Sequence, residues 1–213
     1  MTRLYLVRHA STGWNKHGQY QGHSNVALSD AGRQQARLLA KRLADKDLHF
    51  FYASDLSRAF ETAQIVAAAY GQPVTPLMEL REVNFGLWEG LTFQEINEKY
   101  AGIATQWRLN PGQVGIPQGE RFAEVQERAC RVITDLVARH PDKNLLVVSH
   151  GGTIRTILCG LLDLSLDRLW GLAQDNTAVN IIDFYDGRPI LTLFNDAHHL
   201  EHAHGPEPDG EGL

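Results

Sequence analysis

Four short runs rich in β-branched and aromatic residues, LYLV (4–7), HFFYAS (49–54), PVTPL (73–77) and NLLVVS (144–149), alternate with segments whose apolar residues recur at helical spacing. A strand that runs parallel to its neighbour needs a crossover long enough to hold a helix, so this alternation predicts an α/β layered fold with a largely parallel sheet. Ser29 precedes a helix carrying Ala36, Leu39, Ala40 and Leu43 on one face, and Phe122, Val125, Ala129, Val132 and Leu136 mark another. Near the end, VNIIDFYDGRPILTLFN reads as a hairpin turning at Asp186-Gly187, which puts antiparallel strands at a sheet edge.

At 213 residues, 43% of them hydrophobic, the chain is long enough for one globular domain burying roughly 70–75% of its unfolded surface. That domain is expected over residues 1–202. The stretch AHGPEPDGEGL at the end is rich in Gly, Pro and acids, and residues 203–213 are expected to be a disordered tail. The net charge of −5 comes without a long run of one sign, so the sequence offers no footprint for nucleic acid or an anionic membrane and points to small-molecule partners. No stretch approaches the ~20 apolar residues of a membrane span, and MTRLYLV turns polar too soon for a signal peptide. The expected location is cytoplasmic. The two cysteines, Cys130 and Cys159, fall in apolar helical patterns and read as small buried hydrophobes.

Candidate chemistry collects where strands end. In open α/β sheets ligands bind beyond the carboxyl ends of parallel strands, and LYLV stops at Arg8-His9. NLLVVS stops at His150, followed by Gly151-Gly152 and a helix whose first amides and dipole favour an anion. After HFFYAS, Arg58 falls in the first turn of a helix, where the dipole disfavours a cation unless an anion arrives. Glu82 follows the apolar run PLMEL in a loop-like segment with Gly86 and Gly90. Arginine pairs bidentately with phosphate oxygens, neutral imidazole is a nucleophile, and a protonated carboxyl donates to a leaving oxygen. Together these residues describe phosphoryl transfer through a phosphohistidine.

The ordered series Arg8-His9 with Thr12 and Asn15, then GQYQG, LSDAG, SDLSRAFETA, LREVNFGLWEG, Gly119-Glu120 and VVSHGG resembles the histidine phosphatase superfamily, in its cofactor-dependent phosphoglycerate mutase-like branch, from about residue 3 to 200. The resemblance implies a three-layer α/β/α sandwich with a mostly parallel mixed sheet. It implies His9 as nucleophile, Arg8, Arg58 and His150 as ligands of the phosphoryl oxygens, and Glu82 as general acid and then base. Asn15, Gln21, Gly22 and the backbone of Gly151 match positions lining the phosphate pocket, where Gly22 also suits a plain turn. No metal and no cofactor are implied.

Many relatives read RHGET where this chain has RHAST, and many carry a serine after Gly-Glu where this chain has Arg121, a cation expected near the pocket mouth. The expected activity is that of a metal-independent phosphatase acting on a small phosphorylated metabolite. Alternatives are a cofactor-dependent phosphoglycerate mutase and a noncatalytic phospho-ligand binding module. A metallohydrolase on His9, His150 and Glu82 is opposed by the adjacent arginines, and a P-loop NTPase by the lack of GxxxxGK[ST]. Between residues 90 and 120 only Lys99 and Arg108 are basic, which reads as an apolar cover with little cationic grip and favours the phosphatase. The tract His198, His199, His202, His204 reads as an exposed end without a role, His198 excepted as lying near the last ordered segment. Oligomeric state stays open, a homodimer included.

Overall fold

In the computed structural model, which describes residues 1–201, six strands form one mixed sheet: β1 (Thr2–Arg8), β2 (Phe50–Ser54), β3 (Val74–Leu77), β4 (Asn144–Ser149), β5 (Val179–Tyr185) and β6 (Arg188–Asp196). Their spatial order is β3-β2-β4-β1-β5-β6. The first four are parallel to their neighbours, whereas β5 runs antiparallel to β1 and β6 antiparallel to β5. The hairpin turns where expected: Asp186 and Gly187 have φ of 48° and 78°, the left-handed pair that matches strand twist.

Among the described residues six α-helices accompany the sheet: α1 (Gly13–Lys16), α2 (Asp30–Leu43), α3 (Ser57–Ala68), α4 (Phe93–Leu109), α5 (Phe122–Arg139) and α6 (Gly151–Leu161). Side chains alternate across a strand, so β1 and β4 each feed two cores. Tyr5, Val7, Leu146 and Val148 pack with Leu39 and Leu43 of α2 and Ala59, Ala63 and Val66 of α3. Leu4, Leu6, Leu145 and Val147 pack with Ile133 and Leu136 of α5 and Ile154 and Ile157 of α6. Central strands covered on both faces read as continuous apolar runs, which is why LYLV and NLLVV are legible as strands. The result is the expected three-layer arrangement.

A third cluster lies apart from these two: Val83, Trp88, Ile96, Trp107, Ile116, Phe122 and Val125 pack beneath α4 and the segment after it. The helix α4 begins in a capping box of Thr92 and Glu95 and breaks its helical geometry at Tyr100. Trp107 and Ile116 are buried in this cluster, while Ile103 is exposed, so the segment is an anchored aromatic layer rather than a loose apolar cover.

The histidine-rich end departs from expectation. His199 is half-buried between Thr177 Oγ1 (3.0 Å) and Arg42 Nη1 (3.2 Å), so it fastens the last described turn onto the loop that leads into β5 and onto α2. His198 is the more exposed of the two and pairs with Glu201. His202, His204 and the tail expected at 203–213 lie outside the described residues. Cys130 and Cys159 are free thiols, Cys159 buried and Cys130 partly so. Among the described residues no helix is long and apolar enough to cross a membrane.

Candidate active site

The two strand-end histidines meet because their strands are neighbours. The parallel register of β1 and β4 pairs Arg8 with Ser149, and the His9 amide extends the ladder by donating to the Ser149 carbonyl at 2.9 Å. His9 and His150 therefore stand side by side, ring centroids 5.1 Å apart and planes at 57°. His9 Nδ1 lies 2.8 Å from the Ala10 carbonyl. A carbonyl only accepts, so Nδ1 carries the proton and Nε2 keeps its lone pair.

Arg58, the second residue of α3, is fully buried, with Nη1 donating to the Ser24 carbonyl (2.9 Å) and Nη2 to the Gly22 carbonyl (2.7 Å). Arg8 likewise donates from Nη1 to the Gln174 carbonyl. Carbonyls orient these guanidinium groups without cancelling their charge, as a carboxylate would. Arg8 Nε, Arg58 Nε and both ring nitrogens of His150 are buried with no hydrogen-bond partner among the described residues. Leaving such a donor unsatisfied costs about 1–3 kcal/mol, so the arrangement is built to gain from an anion rich in acceptor oxygens.

Burial, followed by the positive charges of Arg58 and Arg8, holds His9 well below the ordinary histidine value; burial and Arg58 do the same to His150. Burial also lowers Arg8 and Arg58 to about 10, against the opposing pull of Glu82. At neutral pH the rings are thus neutral and the guanidinium groups charged, the combination a nucleophile beside a phosphoryl cradle requires.

Glu82 reaches across to the start of α6. Its Oε1 accepts from the amides of Val83 and Thr153 (both 3.0 Å), and its Oε2 from the Gly152 amide (3.1 Å). The helix N-terminus expected to meet an incoming anion therefore gives the Gly152 and Thr153 amides to Glu82, while Gly151 lines the cavity ahead of them. A Cβ on Gly152 would lie 2.7 Å from Glu82 Oε1, so this approach depends on the second glycine of SHGG.

Arg8, His9, Asn15, Gln21, Arg58, Glu82 and Gly151 all line one cavity of about 220 Å³. Two candidates do not. His150 is sealed behind His9, and Gly22 acts through the carbonyl that holds Arg58. Asn15 serves twice, since its Oδ1 also accepts from the Thr12 amide at 3.0 Å. The substituted turn at Ala10-Ser11 keeps firm partners: the Ala10 amide donates to Thr62 Oγ1 (3.1 Å), and the Ser11 carbonyl accepts from the Ser29 amide (3.0 Å). Arg121 is not at the mouth. It starts α5 on the surface, paired to Glu124 through its own capping turn at 2.9 Å, and does not line the cavity.

Sequence reasoning missed three contributors. Glu89 accepts from the amides of His23 (2.8 Å) and Ser24 (2.9 Å) and from Ser24 Oγ (2.6 Å), fixing the loop whose carbonyls orient Arg58. A Cβ on Gly22, where φ is +52°, would fall 2.0 Å from Glu89 Oε1, so Gly22 is required there sterically. Arg155 and the aromatic group of Tyr20, Phe85, Phe122 and Trp170 complete the walls. Only Arg155 left a readable signal, lying four residues after Gly151 on the same helix face.

The family model for the histidine phosphatase superfamily (branch 1) matches residues 4–197. The chain is 34% identical over 200 residues to phosphoserine phosphatase 1 of Hydrogenobacter thermophilus, covering 94% of this chain and 95% of that relative. Its structure superposes on Bacillus stearothermophilus YhfR with a TM-score of 0.90 at 35% identity, over 94% of this chain and 100% of the other. A phosphoserine phosphatase mutant from Entamoeba histolytica, solved in complex with phosphoserine, matches with a TM-score of 0.84 at 32% identity, over 94% and 100% of the two chains. With its strand-end histidines, carbonyl-held arginines and near full-length matches, the chain belongs to the histidine phosphatase superfamily, branch 1.

Proposed function

We propose that this chain hydrolyses small phosphomonoesters through a phosphohistidine on His9, without a metal ion. The observation that carries the reading is His9 itself: a neutral ring with Nδ1 committed to the Ala10 carbonyl, lining a cavity that Arg8, Arg58 and Glu82 also line. Nε2 attacks phosphorus as the bond to the leaving oxygen breaks. The unsatisfied donors of Arg8 and Arg58, which line the cavity, meet the charge that spreads over the equatorial oxygens, while His150 packs against the His9 ring at 5.1 Å between centroids. Glu82 gives its proton to the leaving oxygen, then takes one from the water that cleaves the phosphohistidine. A binding module would need the arginines but neither His9 nor Glu82.

Phosphatase is favoured over mutase by the segment from 90 to 120. Its only cations are Lys99 and Arg108, and Arg108 lies over the Phe93 ring at 5.8 Å. Purified protein should release phosphate from a panel of phosphomonoesters with activity unchanged by EDTA, and should interconvert 2- and 3-phosphoglycerate negligibly. Mutase turnover exceeding phosphate release on adding 2,3-bisphosphoglycerate would overturn the assignment, and loss of activity on chelation would overturn the metal-free chemistry.

A further inference from the structure

Beside the phosphoryl cradle stands a third guanidinium that the reaction above does not use. Arg155 lies on α6 four residues after Gly151, roughly 6 Å further along the helix axis, and lines the same cavity as Glu82 and Tyr20. Its Nε donates to the Leu172 carbonyl at 2.6 Å, and its terminal nitrogens have no hydrogen-bond partner among the described residues. A Cβ placed on Gly151 would be 3.4 Å from both Arg155 Nη1 and Arg8 Nε, so the two guanidinium groups flank one small residue. Side-chain oxygens of Glu82 are held by the amides of Val83, Gly152 and Thr153 rather than by Arg155.

Charge balance gives this position a meaning. Arg8, Arg58 and Arg155 bring three positive charges to the cavity, and Glu82 is the carboxyl among its walls. The other carboxylate that acts on Arg155, Asp175, is exposed, tied to Asn195 Nδ2 at 2.7 Å, and is not one of the walls. Tyr20 is no substitute, because burial pushes its phenol up to about 12 and keeps it neutral. Glu89 acts on Arg58 from outside the walls, and the Nη groups of Arg8 and Arg58 are held by carbonyls, whereas Arg155 lines the cavity close to Tyr20 with its terminal nitrogens unpartnered among the described residues.

We infer that Arg155 reads a second anionic group on the leaving side of the substrate, a carboxylate close to the phosphoester, and so selects acidic phosphomonoesters. The inference rests on the phosphatase reading of the same cavity. It also moves the acid-selective role from Arg121, which is spent on Glu124 at the surface, to a residue inside the cavity. The planar fork of arginine suits a carboxylate bidentately, and the Leu172 carbonyl holds that fork in place before substrate arrives.

The test compares 3-phosphoglycerate with glycerol 3-phosphate, which differ by a carboxylate in place of a hydroxymethyl group. Wild type should prefer the former, and Arg155→Leu should lower kcat/KM for it at least about tenfold, mainly through KM, and by a clearly smaller factor for glycerol 3-phosphate and for vanadate inhibition. Arg155→Lys should recover part of the loss, and Arg121→Ser should leave both substrates unchanged. Binding of the same two ligands to the His9→Ala protein, with and without Arg155→Leu, reads the preference without turnover. Absence of phosphate release with carboxylate-selective binding intact would sink the phosphatase reading and keep this one. Equal losses on both ligands, or a loss with Arg108→Ala that Arg155→Leu fails to produce, would overturn it.

Discussion

The proposed phosphoryl cradle and the aromatic layer beneath α4 share a cavity but are built on opposite principles. The cradle buries polar groups with incomplete hydrogen bonding: Arg58 and His150 are fully buried, and Arg58 Nε and both ring nitrogens of His150 have no partner among the described residues. The aromatic layer buries large apolar rings against one another. Trp107 alone meets Trp88 at 5.2 Å, Trp170 at 4.8 Å and Phe122 at 5.6 Å between centroids. The first region buries polar groups at a cost in stability, and the second supplies stability while leaving Trp170 and Tyr20 as walls of the cavity. Substitutions in the two should therefore separate chemistry from folding.

The largest effect belongs to His9→Ala, which should abolish an acid-labile phosphoenzyme and lower turnover by on the order of 10⁴-fold or more, with the fold intact. Radiolabel trapping and steady-state rates check it, and wild-type turnover in this variant would rule out His9 as nucleophile. Trp107→Ala should behave in the opposite way, costing about 3–5 kcal/mol of stability in urea unfolding, because it empties a fully packed site. Its phosphoenzyme should still form at temperatures where it is folded. If labelling vanished while stability held, the division between the regions would be wrong.

Arg58→Ala falls between them. Turnover should drop roughly 10²–10³-fold through lost transition-state stabilisation. Some stability should go too, since the Gly22 and Ser24 carbonyls lose their donor. Glu89→Gln offers a gentler version: weakening the loop that orients Arg58 should lower kcat by less than Arg58→Ala does, and a rate matching wild type would show that the loop holds without it.

The pH dependence of stability tests the same division with the least change in turnover. His9, His150 and His199 all sit below the ordinary value of 6.5, chiefly through burial, with His199 at about 4. The unfolded chain takes up these protons first as pH falls, so the contribution is complete above about 6.5 and is lost as pH drops below it. His9 and His150 each add at most about 1.4 kcal/mol per pH unit to that loss, and solvent screening makes the share of the half-buried His199 smaller. Urea midpoints at about pH 7.5 and about pH 5 should differ accordingly, and a His9→Gln, His150→Gln protein should show a shallower slope. An unchanged slope would mean the cradle histidines do not burden the acid side.

The two regions also differ in how much of each could be read beforehand. Every strand of the sheet followed from local pattern: β1 and β4 because a doubly covered strand is apolar along its length, the edge strand β3 from its β-branched residues, and the hairpin at Asp186-Gly187 because a tight turn needs residues that accept positive φ. The cradle followed nearly as well, because strand ends deliver their side chains to one edge whatever the rest of the chain does. Asn15, Gln21 and Glu82 took their places with it. The aromatic walls draw on residues 20, 85, 122 and 170, which no spacing relates, and α4 was visible only as a segment poor in cations.

What the sequence by itself determined is the sheet, its carboxyl edge and the residue types carried there, since these rest on periodicity and on neighbours in the chain. Tertiary structure alone decided which of those residues do more than one thing and which cations count. It took Arg121 to the surface with Glu124 and placed Arg155 in the cavity. It also gave two amides of α6 to Glu82 and tied Arg58 to loop carbonyls through Glu89. The physical reason is that charge and hydrogen-bond pairing depend on distance in space, and a guanidinium reveals whether it is free or paired only when its partners are in place.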